Sequence, residues 1–182
     1  MIRIIPTAIE DVKIIEPVVF KDDRGYFFEA WSQRVFDENV TPIKFVQDNE
    51  SLSSYGVIRG LHFQRGIYAQ SKLVSVVAGA VLDVAVDIRK ESPTFGKHIA
   101  VELSGENHRQ LFIPRGFAHG FSVLSEKAIF RYKCDGYYNP ESEGGILFND
   151  PDLNIDWKIP QKDRIISPKD IKWPVLSKVE TY

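Results

Sequence analysis

Apolar residues in this chain recur mostly at every second position, in short runs divided by glycine, proline and aspartate. A period of two belongs to strands, since successive side chains point to opposite faces. Residues 14–20 read as a strand, and Pro17, which cannot donate to a ladder, predicts an edge position for it. Asp22-Asp23-Arg24-Gly25 reads as a turn, after which residues 26–31 resume a strand. Ser32 is placed to N-cap a short helix running to Glu38. Residues 73–77 and 80–88 flank Gly79 and predict a hairpin. In its second arm Leu82, Val84, Val86 and Ile88 share one face, while Val81, Asp83, Ala85 and Asp87 share the other. Residues 99–103, 110–113 and 116–123 are further strands, and 128–138 is a long one. Beyond Asn139 the chain is rich in turns and prolines, which predicts short helices and loops wrapped on the body. Many short strands with few helices predict a mainly β sandwich or barrel, as one domain over residues 1–182.

The informative places are those where the pattern is broken by chemistry. Val57, Ile58, Leu61 and Phe63 describe a buried strand, yet Arg59 and His62 interrupt it. Both are expensive to bury without partners, so the strand predicts a site that holds an anion and moves a proton. Simple alternation puts Arg59 and His62 on opposite faces, and Gly60 between them is the candidate bulge that would re-aim them. On the long strand, Phe130, Tyr132, Cys134, Gly136 and Tyr138 share the predicted interior face, with Arg131, Lys133 and Asp135 opposite. A buried phenol facing an imidazole is a natural proton donor opposite a base; the competing reading is aromatic packing with each hydroxyl satisfied. Lys72 opens a strand. It is either solvated or, if it points inward, a fixed positive charge beside developing negative charge. Asp83, on the less apolar face of its strand, competes for the role of carboxylate partner to His62.

Pro114-Arg115-Gly116-Phe117-Ala118-His119 has the Pro-x-Gly-x-x-His form of one cupin half-motif, in which a turn hands a histidine to a barrel interior. Metal-binding cupins also carry a His-x-His and a downstream Glu. Leu61-His62-Phe63-Gln64 offers one histidine only, so no bound metal is expected. Gln47-Asp48-Asn49 places three polar groups where a base edge or a sugar could be read, or simply where turn chemistry is needed.

Charge narrows the partners. The chain of 182 residues carries a formal net charge of −2, which argues against a general nucleic-acid binder and makes any anion site local. There is no glycine-rich phosphate loop, so a phosphate would be held by Arg and Lys side chains. The single cysteine, Cys134, cannot form an internal disulfide and fits a reducing cytoplasm. The N-terminal residues are too few and too polar for a signal peptide, and no apolar run approaches the ~20 residues of a membrane span.

In order along the chain, several segments resemble the dTDP-4-dehydrorhamnose 3,5-epimerase family of the cupin superfamily. These are Asp23-Arg24-Gly25-Tyr26-Phe27-Phe28-Glu29, Gln47-Asp48-Asn49-Glu50-Ser51, the 56–64 strand, Lys72-Leu73-Val74 and the 114–121 turn. Tyr132-Lys133-Cys134, Tyr137-Tyr138, Glu141-Ser142-Glu143-Gly144-Gly145 and Ser167-Pro168-Lys169-Asp170 complete the match. The resemblance implies a cupin-type β-barrel or jelly roll, dimeric through exchanged N-terminal strands. It implies no cofactor and a dTDP-4-dehydro-6-deoxy-sugar as substrate. His62 resembles the family's base, Asp170 the carboxylate that orients it, Lys72 the residue at the keto oxygen and Tyr132 the acid on the opposite face. Arg24, Glu29, Gln47, Asp48, Asn49, Arg59, His119, Glu143 and Lys169 match positions that hold the nucleotide or sugar, and Tyr138 matches the aromatic that stacks on thymine. The rival expectations are an epimerase that inverts one carbon or takes another deoxysugar, a metal-dependent cupin oxygenase, and a sugar-binding cupin without turnover.

Overall fold

In the computed structural model, which describes residues 2–180, strands make up most of the regular structure, with one α-helix and five single-turn 3-10 helices among the described residues. Strands β1 (Ile2–Pro6), β2 (Lys13–Pro17), β3 (Phe20–Asp22) and β4 (Gly25–Phe27) precede helix α1 (Gln33–Asn39). Then follow β5 (Gln47–Ser54), β6 (Val57–Gln64), β7 (Lys72–Ala78), β8 (Ala80–Asp87), β9 (His98–Ser104) and β10 (Gln110–Ile113). The series ends with β11 (Phe117–Val123), β12 (Lys127–Cys134), β13 (Glu143–Gly145) and β14 (Ile165–Ile166). Ser32 caps α1 as expected, its side chain accepting from the Val35 N–H.

A six-stranded sheet runs β1-β2-β10-β7-β12-β5, and a second runs β13-β6-β11-β8-β9 with β14 added in parallel to β6. The other pairings are antiparallel. The sheets close on a shared core that includes Val74, Val76, Val81, Ala85, Leu111, Phe121 and Phe130. This is a cupin-like jelly roll. The alternation along β8 splits as predicted. Val81 and Ala85 join the inner core, while Leu82, Val84, Val86 and Ile88 pack outward against Ile146, Phe148, Leu153 and Trp157. The turn-rich C-terminal segment therefore roofs the outside of the second sheet. Trp157 is fully buried there, its indole N–H donating to the Phe148 carbonyl at 2.7 Å. Helix α1 covers the first sheet through Phe36, against Ile15, Leu73 and Phe112.

Three expectations are corrected. The predicted hairpin at Gly79 does not form, because β7 and β8 belong to opposite sheets. Gly79 alone separates them, one residue short of the tightest common hairpin loop, and it turns a corner instead. Its φ is +80°, and a Cβ there would lie 2.0 Å from the Lys127 carbonyl oxygen. Pro17 does not mark an edge strand either. β2 lies between β1 and β10, but Pro17 is its last residue, beyond the stretch that β10 pairs. The long strand stops at Cys134. Asp135 turns the chain by accepting from the Ser71 N–H at 2.7 Å and from Arg115 Nε at 2.9 Å, which leaves Tyr138 in the loop beyond.

The bulge at Gly60 does form. His62 pairs with His119, but Arg59 pairs with Phe121, so β6 spends one more residue than β11 over the same interval. Gly60 has φ +130°, and a Cβ would sit 2.6 Å from Gly120 Cα and 2.9 Å from the His119 carbonyl oxygen. Gly60→Ala is therefore expected to lower stability by roughly 2–3 kcal/mol, the upper range of ordinary single substitutions, as read by chemical denaturation. A change within half a kcal/mol would mean that the bulge relaxes freely.

Candidate active site

A cavity of about 780 Å³ opens between the two sheets. Its polar lining comes from six different elements. β6 supplies Arg59 and His62, brought to one side by the bulge. β7 begins with Lys72, β11 carries His119, β12 carries Tyr132 and β5 carries Asn49. The segment after β14 supplies Lys169 and Asp170. Val57, Phe121, Phe130 and Ile166 form apolar walls.

Asp170 reaches His62 because β14 runs beside β6, with Ile166 opposite Ile58. His62 Nε2 lies 2.7 Å from Asp170 Oδ1, while Asp170 Oδ2 accepts the Gly60 N–H at 3.2 Å. The Asp170 N–H donates to Ser167 Oγ at 3.1 Å. The imidazole side chain is 32% exposed and the carboxylate 5%, so the imidazole faces the cavity and its partner is sealed behind it. Burial alone would raise the Asp170 pKa. The hydrogen bonds and charge of His62, with the Gly60 N–H, outweigh it and hold the carboxyl below its ordinary range. An ionised carboxylate only accepts, so the neutral form of this ring carries its proton on Nε2 and its lone pair on Nδ1. Asp83, the competing partner, is bound elsewhere: its Oδ2 lies 2.9 Å from His119 Nε2.

Tyr132 stands on the other sheet, on the interior face with Phe130 and Cys134. Burial pushes its phenol pKa up, Cys134 and Tyr138 add to the rise, and Arg59 opposes it, so the group stays a protonated donor. Lys72 has no ion pair or hydrogen bond among the described residues, and its Nζ lies 5.8 Å from the Tyr132 ring centroid. Burial lowers its pKa, against the pull of Cys134, Asp83 and Glu143. Arg59 is held by Ser53 Oγ at 3.1 Å.

At the rim, Glu143 Oε2 accepts from the Tyr138 hydroxyl at 3.0 Å and from the Lys169 ammonium. Gln47 accepts from the Tyr138 N–H and donates to Asn49. Tyr138 is 49% exposed, which removes the reading of it as a core filler.

Three predicted residues are not brought to this cavity by their own chain. Asp48 lies on the opposite face of β5 by strand alternation, where it pairs with Lys133 at 2.9 Å. Arg24 sits at the tip of the β3–β4 hairpin, paired with Asp22 at 2.6 Å, and Glu29 lines a separate groove beside Trp31. Ser53, Ser167 and the wall residue Phe121 were missed. Ser53 shares the inward parity of Asn49 on β5 and was findable from that; the reach of Ser167 depends on the path of a loop.

A profile of the dTDP-4-dehydrorhamnose 3,5-epimerase family matches residues 6–178. The chain is 56% identical to the dTDP-4-dehydrorhamnose 3,5-epimerase of Salmonella typhimurium, over 97% of this chain and 96% of that one. It is 57% identical to the Escherichia coli protein of the same name, over 92% and 91%. Among solved structures, the dTDP-6-deoxy-D-glucose-3,5-epimerase of Legionella pneumophila, in complex with dTDP-4-keto-L-rhamnose, superposes with a TM-score of 0.95 at 51% identity, covering 99% of this chain and 95% of that one.

Proposed function

Because the chain belongs to the dTDP-4-dehydrorhamnose 3,5-epimerase family, we propose that it inverts C3 and C5 of dTDP-4-dehydro-6-deoxy-glucose through enolate intermediates. The C4 ketone acidifies the protons on both neighbouring carbons. His62 Nδ1 takes one of them, and Asp170 stabilises the imidazolium that forms. The enolate oxygen faces Lys72. Tyr132 gives a proton from the opposite side and the centre inverts; the imidazolium then loses its proton to solvent and the phenolate regains one before the second carbon reacts. The reaction is redox-neutral, so a base, an acid and a cation suffice.

The observation that carries this reading is the opposition of base and acid: His62 stands on one sheet and Tyr132 on the other, with the cavity between. A sugar ring held there is flanked on both faces. NMR of the substrate with the protein in deuterated buffer tests it. Deuterium at both C3 and C5 is expected. Label at one carbon would make the protein a mono-epimerase, and none would leave a binding protein.

The nucleotide is held at the rim, with thymine stacked on Tyr138 and the diphosphate near Arg59. Base–aromatic stacking is worth roughly 1–3 kcal/mol, so Tyr138→Ala should raise the Kd for dTDP by about 5- to 150-fold. Calorimetric titration reads this, and unchanged affinity in the folded variant would take Tyr138 out of the site.

The working unit is a homodimer in the reducing cytoplasm, each subunit lending its β3–β4 hairpin to the other's cavity. Arg24 and Glu29 act in this way on the partner's substrate. In support, β3 and β4 pair only with each other among the described residues and expose Phe20 and Phe27, at 62% and 71%. Mixing inactive His62→Ala and Arg24→Ala subunits should restore part of the activity, because a mixed dimer carries one intact site.

A further inference from the structure

We propose that Asp83, on β8, is a positioning residue for this reaction: it fixes the ring proton of His119 on Nε2 and is the buried anion against which Lys72 remains an ammonium ion. The inference rests on the proposed epimerase reading and concerns the electrostatics of the same cavity.

Asp83 is 0% exposed. Its Oδ2 is 2.9 Å from His119 Nε2, and its Oδ1 is buried with no hydrogen-bond partner among the described residues. A buried carboxylate oxygen left bare is unusual enough to need a reason. Lys72 is the complementary case, a half-buried cation without an ion pair or a hydrogen bond among the described residues. The groups that face it come from five strands. Tyr132 and Cys134 lie on β12, His119 on β11, His62 on β6, Glu143 on β13 and Asp83 on β8. Most of these bring no free charge. The Cys134 thiol is pushed up to about 11 by burial, and the Tyr132 phenol is pushed up as well. Glu143 is already engaged by Lys169 and Tyr138, and His62 by Asp170. Asp83 is the anion left to balance Lys72.

The same carboxylate settles the role of His119. Burial pushes its imidazole toward the neutral form, with Lys72 and His62 acting in the same direction and Asp83 opposing them. A neutral ring facing an acceptor-only carboxylate carries its proton on Nε2. Nδ1, which has no hydrogen bond among the described residues, is then an acceptor. His119 can take a hydrogen bond from a sugar hydroxyl and cannot donate to the keto oxygen from that nitrogen. Donation to the developing oxyanion is left to Lys72.

The competing account is that Asp83 and His119 merely tie β8 to β11. Two measurements separate them. In the wild-type protein, ¹⁵N-histidine NMR should show His119 protonated at Nε2 and bare at Nδ1; the opposite tautomer or an imidazolium at neutral pH would overturn the proposal. In Asp83→Asn, which keeps an acceptor for His119 and loses the charge, the Lys72 titration followed by ¹³Cε NMR should move to lower pH. The alkaline limb of kcat should move with it. The kcat near neutral pH should drop roughly tenfold or more, short of the ~10²–10³-fold that losing an oxyanion donor costs. Affinity for dTDP should stay within about threefold. A lowered melting temperature with an unmoved Lys72 titration would show a structural tie only and sink the idea. Because both NMR readouts need no turnover, they can fail while the epimerase reading stands, or hold while it fails.

Discussion

His62→Ala is expected to abolish wash-in of solvent deuterium at both C3 and C5, with turnover down by ~10²–10⁴-fold or more. The fold should survive. The imidazole is partly open to the cavity, and without it Asp170 still accepts the Gly60 N–H and is supported by Ser167. Substrate NMR in deuterated buffer, with a melting curve alongside, checks both halves. Activity within tenfold of wild type would remove His62 as the base. Asp170→Asn should fall between the two. An amide has one acceptor oxygen for two donors, Gly60 N–H and His62 Nε2, and it cannot stabilise an imidazolium. Loss of both exchanges to the same degree is the signature of one base serving both carbons.

Tyr132→Phe should separate deprotonation from inversion. His62 would still form the enolate, and solvent deuterium would return on the side it left. Inverted product is expected to fall by about 10²-fold or more, while exchange falls by less than about tenfold. The asymmetry follows from the placement of the two groups on opposing sheets, on either side of the cavity. Equal loss of exchange and inversion would recast Tyr132 as a residue that positions the sugar. The phenyl ring would keep its packing near Phe130, so stability should change little.

Much of this site was legible because strand periodicity assigns faces. Tyr132 and Cys134 were put inside and Arg131 outside by alternation alone, and so they stand. The same rule, applied to Gln47, Asp48 and Asn49, would have turned Asp48 away from the cavity, where a motif match had grouped all three. Gly60 signalled its bulge because a lone glycine in an apolar strand has few other uses. What periodicity cannot supply is partnership across the chain. His62 and Asp170 are 108 residues apart in sequence, and only the family resemblance paired them in advance. Nor can it say which sheet a strand joins. A glycine between two apolar runs serves a hairpin and a corner equally well, and at Gly79 the single-residue spacing decides for the corner.

The corners have a kinetic consequence. Among the described residues only β1 with β2, β3 with β4 and β8 with β9 pair as neighbours in sequence; every other ladder there joins strands separated by intervening ones. A chain of this kind cannot zip up hairpin by hairpin and belongs with the slow, high-contact-order folders that take milliseconds to seconds. During synthesis at ~5–20 residues per second, the outer face of β8 waits uncovered until Ile146, Leu153 and Trp157 emerge. Asp170 emerges later still. Chaperone dependence should therefore be concentrated in this late interval, and the burial of Trp157 should mark the step after which the chain no longer needs protection.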